Sequence, residues 1–371
     1  MIERRATATG SVPRLVSVAT ALPEHVVRQE DAQRFAAGLF ADLVAGQERR
    51  LLGVFSGAGI ESRRSCLPLD AFDRPRGFGE TNQLYLEHAL RLGAEAASRA
   101  LAAAELAPAD VDHIVFVSST GIATPSLDAR LAHLMGFRAD VRRTPLWGLG
   151  CAGGAAGVAR ARDFALAEPG ARVLLVAVEL CTLTFQQRDR TRQNLVAAAL
   201  FGDGAAAAVI AGARARRQGA NGTRALDLLE SRSTLLPDSL DVMGWNVDEL
   251  GLHVIFSRDI PAIVRDWVRP TLDDFLAGLG LALADVAHLV THPGGPKVLA
   301  AYAESLDLGP GALRHACEVL RAFGNMSSPT CLFVLERVLE AGEIGPGDLA
   351  LLAALGPGFS SEVTLMRGAE T

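Results

Sequence analysis

The feature that most limits how this chain can fold is a sequence that repeats itself. The stretch Ala109-Asp110-Val111-Asp112-His113-Ile114-Val115 recurs as Ala284-Asp285-Val286-Ala287-His288-Leu289-Val290, a shift of 175 residues (109 to 284). Val173-Leu174-Leu175-Val176 has a partner in Ala350-Leu351-Leu352-Ala353, shifted by 177 (173 to 350), and Gly150-Cys151-Ala152 aligns with Gly324-Asn325-Met326, shifted by 174 (150 to 324). Three markers in one order at one spacing indicate a chain built twice. At roughly 150 residues per domain, 371 residues accommodate two related halves. The expected division is 1–215 and 222–371, because Arg, Gly and Asn break the apolar pattern between Ala211 and Arg224.

Within each half, β-rich runs alternate with helical runs, the α/β pattern that lays helices against a mostly parallel sheet. Arg14 to Ala21 reads as a strand, and His113 to Ser119 as a buried one. Asn82 to Glu105 carries Leu86, Leu90, Ala94, Ala97 and Leu101 at spacings of three and four, which predicts an amphipathic helix. Each half is expected to run strand, glycine turn, helix, strand. Related halves packed about a pseudo-dyad then place Cys151 and Asn325, each opening an equivalent helix, on one central cavity.

Charge and composition exclude several classes. The net charge is −6 and neither sign forms a long block, so no nucleic-acid partner is expected. No apolar run reaches ~18 residues and none of signal-peptide length follows Arg4 and Arg5, so the expectation is a soluble cytoplasmic protein with no membrane partner. Five cysteines, an odd number in apolar surroundings, suit reduced thiols. Lys297 is the sole lysine, so Schiff-base chemistry would rest on it alone, and no GxxxxGK phosphate loop exists. The histidines lack metal-ligand spacing, so no metal is expected.

Cys151 lies in Trp147-Gly148-Leu149-Gly150-Cys151-Ala152-Gly153-Gly154-Ala155. Glycines on both sides permit a tight turn, and a helix N-terminus favours thiolate, which lowers the thiol pKa by a unit or more. Cys66, Cys181, Cys317 and Cys331 lack that setting. His292 follows a predicted strand and precedes Pro293-Gly294-Gly295-Pro296, where α/β sites form at strand ends. Asn325 alone would read as a helix cap; its alignment with Cys151 raises it to a catalytic candidate. The turns at Phe201-Gly202-Asp203-Gly204 and Gly356-Pro357-Gly358-Phe359 are plain turns or oxyanion-binding ones.

The segments WGLGCAGGA, FGDGAAAAVI, THPGGPKVL, GNMSSPT and GPGF, in this order and spacing, resemble the type III polyketide synthases, the chalcone-synthase family, from about Arg14 to Arg367. VSSTGIATPS, ELCTLTFQ and DVMGW look most like the bacterial alkylpyrone and alkylresorcinol synthases. The resemblance implies a thiolase fold with a duplicated αβαβα core, a homodimer and a triad of Cys151, His292 and Asn325. It implies an acyl-CoA starter extended with malonyl-CoA, CoA thioesters being substrates and no cofactor being needed. Phe201, Ser119, Cys181, Thr184 and the turn Gly356-Pro357-Gly358 are expected at the substrate pocket. Val254 stands where plant members have a second gatekeeping Phe, and Trp245 where they have Gly, so the pocket is expected to suit a long acyl chain. Arg49, Arg50 and Arg63 are the candidates for the CoA phosphates. Ketoacyl-ACP synthase III is the rival with the same fold and triad types, but it would show HQAN and GNTS where this chain has HPGG and GNMSS.

Overall fold

Strands buried on both faces read as unbroken apolar runs, and such runs form the centre of the computed structural model, which describes residues 12–44, 46, 51–215 and 225–370. The first half supplies β1 (Arg14–Ala21), β2 (His25–Arg28), β3 (Ser62–Ser65), β4 (His113–Val117), β5 (Arg142–Leu146), β6 (Arg172–Leu180) and β7 (Asp203–Ala211). The second supplies β8 (Leu226–Leu235), β9 (Met243–Asp248), β10 (Gly251–Phe256), β11 (His288–Thr291), β12 (Leu349–Gly356) and β13 (Ser360–Gly368). Helices of nine residues or more are α1 (Gln29–Leu39), α2 (Phe78–Ala103), α3 (Leu127–Met135), α4 (Gly153–Ala167) and α5 (Arg192–Leu200), then α6 (Ile260–Ala277), α7 (Pro296–Ser305), α8 (Arg314–Phe323) and α9 (Thr330–Glu340).

Nine strands form one mixed sheet in the order β11-β12-β13-β8-β1-β7-β6-β4-β5. The two halves join through the pairs Arg14↔Asp227 and Leu15↔Leu226. Beyond that seam the halves repeat each other: β4 runs parallel to β6 as β11 does to β12, and β6 is antiparallel to β7 as β12 is to β13. The repeat extends to single hydrogen bonds. Ala107 N donates to Asp110 Oδ2 and Ala282 N to Asp285 Oδ2, both at 2.8 Å, and Asp112 N meets Arg172 O as Ala287 N meets Leu349 O, both at 2.9 Å.

The sheet's two ends face each other across α4 and α9. Helix α4 packs on β4 and β6 of its own half and on β12 and β13 of the other, while α9 packs on β11 and β12 and on β1 and β7. Helix α2 covers one face of β1, β6 and β7, and α6 packs on α7 with both joining the large core cluster that spans the two halves. The result is the duplicated five-layer α/β core. Close approach requires the small residues of α4: a Cβ on Gly154 would sit 2.2 Å from Ser328 O, and one on Gly157 2.5 Å from Leu175 Cδ1.

Three boundaries differ from expectation. Helix α2 starts at Phe78, four residues early, after the extended Gly77. Strand β4 ends at Val117 because Ser119 N donates to the Glu179 carboxylate instead of to a strand. The second glycine turn follows a helix, α8, not a strand; Ala316, Val319, Leu320 and Phe323 have helical spacing. The expected break at 211–224 lies largely outside the described residues.

Candidate active site

The Cys151 turn is set by glycines and clamped from two sides. Gly148 and Gly150 have φ of +88° and +46°, and Ser119 Oγ accepts from both backbone N–H groups at 3.2 Å. A Cβ on Gly150 would meet Pro357 Cδ at 2.7 Å, and one on Gly356 would meet Leu149 O at 2.5 Å. Ser119 and the Gly356-Pro357-Gly358 turn therefore brace the backbone that carries the thiol; both were expected at the pocket wall. Cys151 occupies the short 3-10 turn Gly150–Ala152 that leads into α4. Its Sγ lies 4.0 Å from Asn325 Oδ1. Burial pushes the thiol up to about 11, against the hydrogen-bonding influence of Ser327 and Asn325. The expected lowering by the helix start is thus overridden by desolvation.

Asn325 reaches the thiol from the second half. Its N donates to Leu200 O at 2.8 Å and its O accepts from Gly202 N at 3.0 Å. The preceding Gly324 has φ of +71°, and a Cβ there would lie 2.9 Å from Leu200 O. The side-chain Oδ1 accepts from Ser327 N at 2.8 Å, and Nδ2 donates to Gly294 O at 3.2 Å, leaving a second N–H. His292 extends β11, its N donating to Ala353 O at 3.0 Å. Neither ring nitrogen has a partner among the described residues, and burial drives the imidazole down to about 3, so it is neutral. Cys151, His292 and Asn325 all line one cavity of about 560 Å³.

Sequence reasoning missed two buried carboxylates. Glu179, fully enclosed at the end of β6, accepts from Ser119 N at 2.9 Å, Thr120 Oγ1 at 2.7 Å and Ser328 Oγ at 2.8 Å, and burial pushes it up to about 7. It ties the loop after β4 to the loop before α9, the two segments that brace Cys151 and follow Asn325. The available signal was a lone charge closing the run Val173-Leu174-Leu175-Val176-Ala177-Val178. Asp203, pushed up to about 6, accepts from Cys66 N and Thr182 N, each at 2.8 Å, and fixes the turn after Phe201.

Helix α5 separates that cavity from a second one. Gln193, Val196, Ala199 and Leu200 face the first; Asn194, Ala197, Ala198 and the following Phe201 face the second. The second holds about 80 Å³ and is lined by Cys181, Thr184, Phe201 and Val254 together with Phe35, Phe40, Phe72 and Phe185. Trp245 pairs with Val254 across β9 and β10 and lies 6.2 Å from Phe201, ring to ring. Five of the expected pocket residues are thus neighbours. Arg63 is not a phosphate ligand: the residue is 3% exposed and its guanidinium donates to Ala198, Ala199 and Phe201 carbonyls at 2.6–3.1 Å. Those carbonyls close the C-terminal end of α5, where the helix has no partners of its own. Arg49 and Arg50 lie outside the described residues.

Residues 77–214 match the family described as chalcone and stilbene synthases, N-terminal domain, and residues 227–370 its C-terminal domain. A 1,3,6,8-tetrahydroxynaphthalene synthase of Streptomyces peucetius subsp. caesius is 44% identical over 354 residues, covering 95% of this chain and 92% of that one. The alpha-pyrone synthesis polyketide synthase-like Pks18 of Mycobacterium tuberculosis is 30% identical over 359 residues, covering 95% and 90%. The crystal structure of the tetrahydroxynaphthalene synthase of Streptomyces coelicolor A3(2), a bacterial type III polyketide synthase, superimposes with a TM-score of 0.89 at 32% identity, covering 96% of this chain and all of that one.

Proposed function

Because the chain belongs to the chalcone and stilbene synthase family and has the thiolase fold of a type III polyketide synthase, we propose that Cys151, His292 and Asn325 carry its CoA-thioester chemistry. The observation that carries this is the meeting of Cys151 Sγ and Asn325 Oδ1 at 4.0 Å in a cavity shared with an unpartnered neutral His292. His292 takes the thiol proton as Cys151 Sγ attacks the starter carbonyl; the C–S bond to CoA breaks, and the proton leaves with the CoA thiolate. Malonyl-CoA then loses CO2, and N–H groups of His292 and Asn325 hold the thioester oxygen as the enolate forms. The carbanion attacks the acyl-Cys151 carbonyl, expels the thiolate and lengthens the chain by two carbons. Repetition and ring closure complete the product. A neutral imidazole suits both tasks, since it presents one acceptor and one donor nitrogen. No cofactor enters the scheme.

The starter we assign is a long-chain fatty acyl group, and the products alkylpyrones or alkylresorcinols. Val254 in place of a larger ring and the Pks18 relative support this. The tetrahydroxynaphthalene synthase relative favours a second reading, an aromatic product without an alkyl tail. Incubation with radiolabelled malonyl-CoA and a series from acetyl- to stearoyl-CoA, read by mass spectrometry, decides: starter-dependent alkyl products support the first reading, and one product from malonyl-CoA alone supports the second. A ketoacyl-ACP synthase is not favoured. The homodimer we infer is supported by the free edge of β5 and by exposed Trp147 and Ile122 near it, and light scattering tests it. The cytoplasm, where CoA thioesters are supplied, is its proposed location. Among the described residues no helix is long and apolar enough to cross a membrane.

A further inference from the structure

Part of the wall around the reacting space hangs on an element that the main sheet does not hold. Strands β9 and β10 pair with each other, outside the nine-stranded sheet, and a two-stranded hairpin is marginal in water without support. Yet Met243 and Phe256 line the 560 Å³ cavity, and Val254 lines the second one. The base of the hairpin is tied by Ser257 N, which donates to Val242 O at 2.8 Å, and its middle packs Trp245 and Phe256 on the Phe201 ring at 6.2 and 5.6 Å. Its tip is held through His253. Side chains alternate along β10, so Val254 and Phe256 share one face and His253 takes the other. The imidazole Nε2 lies 3.0 Å from Asp248 Oδ1 at the end of β9, and Nδ1 lies 3.6 Å from Asp189 Oδ2 in the loop ahead of α5. An ionised carboxylate only accepts, so Nε2 donates to Asp248. The side chains of His253 and Asp189 are 19% and 15% exposed, which withdraws the bridge largely from water. Both anchors are themselves fixed. Asp248 Oδ1 accepts from Leu250 N at 2.8 Å and closes the hairpin turn. Asp189 Oδ1 accepts from Thr191 N at 2.7 Å, Thr191 Oγ1 caps α5 by accepting from Asn194 N at 3.2 Å, and Asn194 Nδ2 donates back to Asp189 O at 2.8 Å. A Cβ on Gly251, whose φ is +132°, would lie 2.9 Å from Gln186 Nε2, so the tip is seated against that loop. Among the described residues no other cation pairs with Asp189 or Asp248. Arg190 is turned instead to Gln187 O and the Phe40 ring. Since α5 separates the two cavities, the bridge ties one wall of the reacting space to the other.

We propose that His253 is a positioning residue for chain extension: its bridge from Asp248 to Asp189 holds the β9–β10 wall against α5 and so limits how many malonyl-derived units the growing chain takes up before it closes. This rests on reading the site as one that extends a CoA-bound starter with malonyl-CoA. His253 touches no reacting atom and takes part in no covalent step.

The test reads two quantities in the wild type and in variants: the product distribution by mass spectrometry, from malonyl-CoA with and without decanoyl-CoA, and the rate of CO2 release from malonyl-CoA without a starter. Asp189→Asn keeps the Oδ1 acceptor for Thr191 N and removes only the charge that faces Nδ1. His253→Ala and Asp189→Asn should each raise the ratio of longer to shorter polyketides about fivefold, with CO2 release within about twofold of the wild type. The double variant should go no further than either single one, because both remove the same bridge. His253→Arg, whose guanidinium can donate to both carboxylates, should return the ratio to that of the wild type. An unchanged ratio in folded His253→Ala and Asp189→Asn overturns the proposal, and so does a ratio that His253→Arg fails to restore. Equal losses of CO2 release and product at a constant ratio also overturn it, because they mark the bridge as merely structural. If the wild type forms no polyketide from either mixture, the proposed function falls; an active wild type with indifferent variants condemns only the role of His253.

Discussion

The two halves share a frame and differ in how each leaves its glycine turn. In the first half Cys151 passes directly into α4, a helix of Gly and Ala whose buried face lets other backbone come close. In the second, Asn325 is followed by Met326, Ser327, Ser328 and Pro329 before α9 begins, and α9 buries Leu332, Phe333, Val334 and Leu335. One half presents a thiol from the turn that opens a thin helix, and the other presents an amide from the loop ahead of a bulky helix and an imidazole from the end of β11. Duplication supplied the symmetric cavity, and divergence made its two sides chemically complementary.

The sharpest test removes the first half's contribution. Cys151→Ala should abolish the acyl adduct seen by intact mass after acyl-CoA exposure, together with all product, because the other buried thiols Cys66, Cys181 and Cys331 lie outside the turn. An adduct surviving in that variant would break the assignment.

The second half's contribution should be smaller and kinetic. His292→Ala and Asn325→Ala should each slow malonyl-CoA decarboxylation ~100-fold, since loss of one oxyanion donor typically costs ~3 kcal/mol. Release of CO2 near the native rate in both variants would remove the enolate-stabilising roles.

The halves should also respond to pH with opposite sign. Glu179 of the first half has its folded pKa raised from 4.5 to about 7, so its contribution to stability is fullest below 4.5 and is lost as pH rises through 7, by about 3 kcal/mol. His292 of the second half has its folded pKa lowered from 6.5 to about 3, so its contribution is present above 6.5 and is lost as pH falls through 3. Urea unfolding across pH 4 to 8 should show the alkaline loss flattened in Glu179→Gln and the acidic loss flattened in His292→Ala. Parallel profiles for wild type and both variants would refute the pairing.

Contact between the halves is probed by Gly154→Ala. The added methyl meets Ser328 O and Cys331 Sγ, and overpacking of this kind costs ~2 kcal/mol. The smallest change concerns the hairpin β9–β10 of the second half. Val254→Phe should move the kcat/KM optimum toward shorter acyl-CoA starters with little change in stability. An unaltered chain-length profile would make Val254 a bystander.

What the sequence revealed follows the range of the forces involved. The repeat was readable because Asp110 and Asp285 close their turns through bonds three residues away, and the Cys151 turn because its glycines, Gly148 and Gly150, lie within three residues of the thiol. Arg63 misled because an arginine written alone does not reveal that carbonyls of α5, over 130 residues distant, will surround it. Glu179 was silent for the same reason: its partners Ser119, Thr120 and Ser328 come from two remote loops.

The packing of α4 against β12 and β13 sets an order of events during synthesis. Translation proceeds at about 5–20 residues per second, so for roughly ten to forty seconds after α4 emerges its far side has nothing to lie on. The first half then shows the ribosome's surroundings a bare glycine-alanine face and an apolar sheet. Pairings this distant are slow to form and prone to aggregation before they do. The polypeptide thus acquires its thiol site only when its last strands arrive, and cells that overproduce it should need chaperones most during that interval.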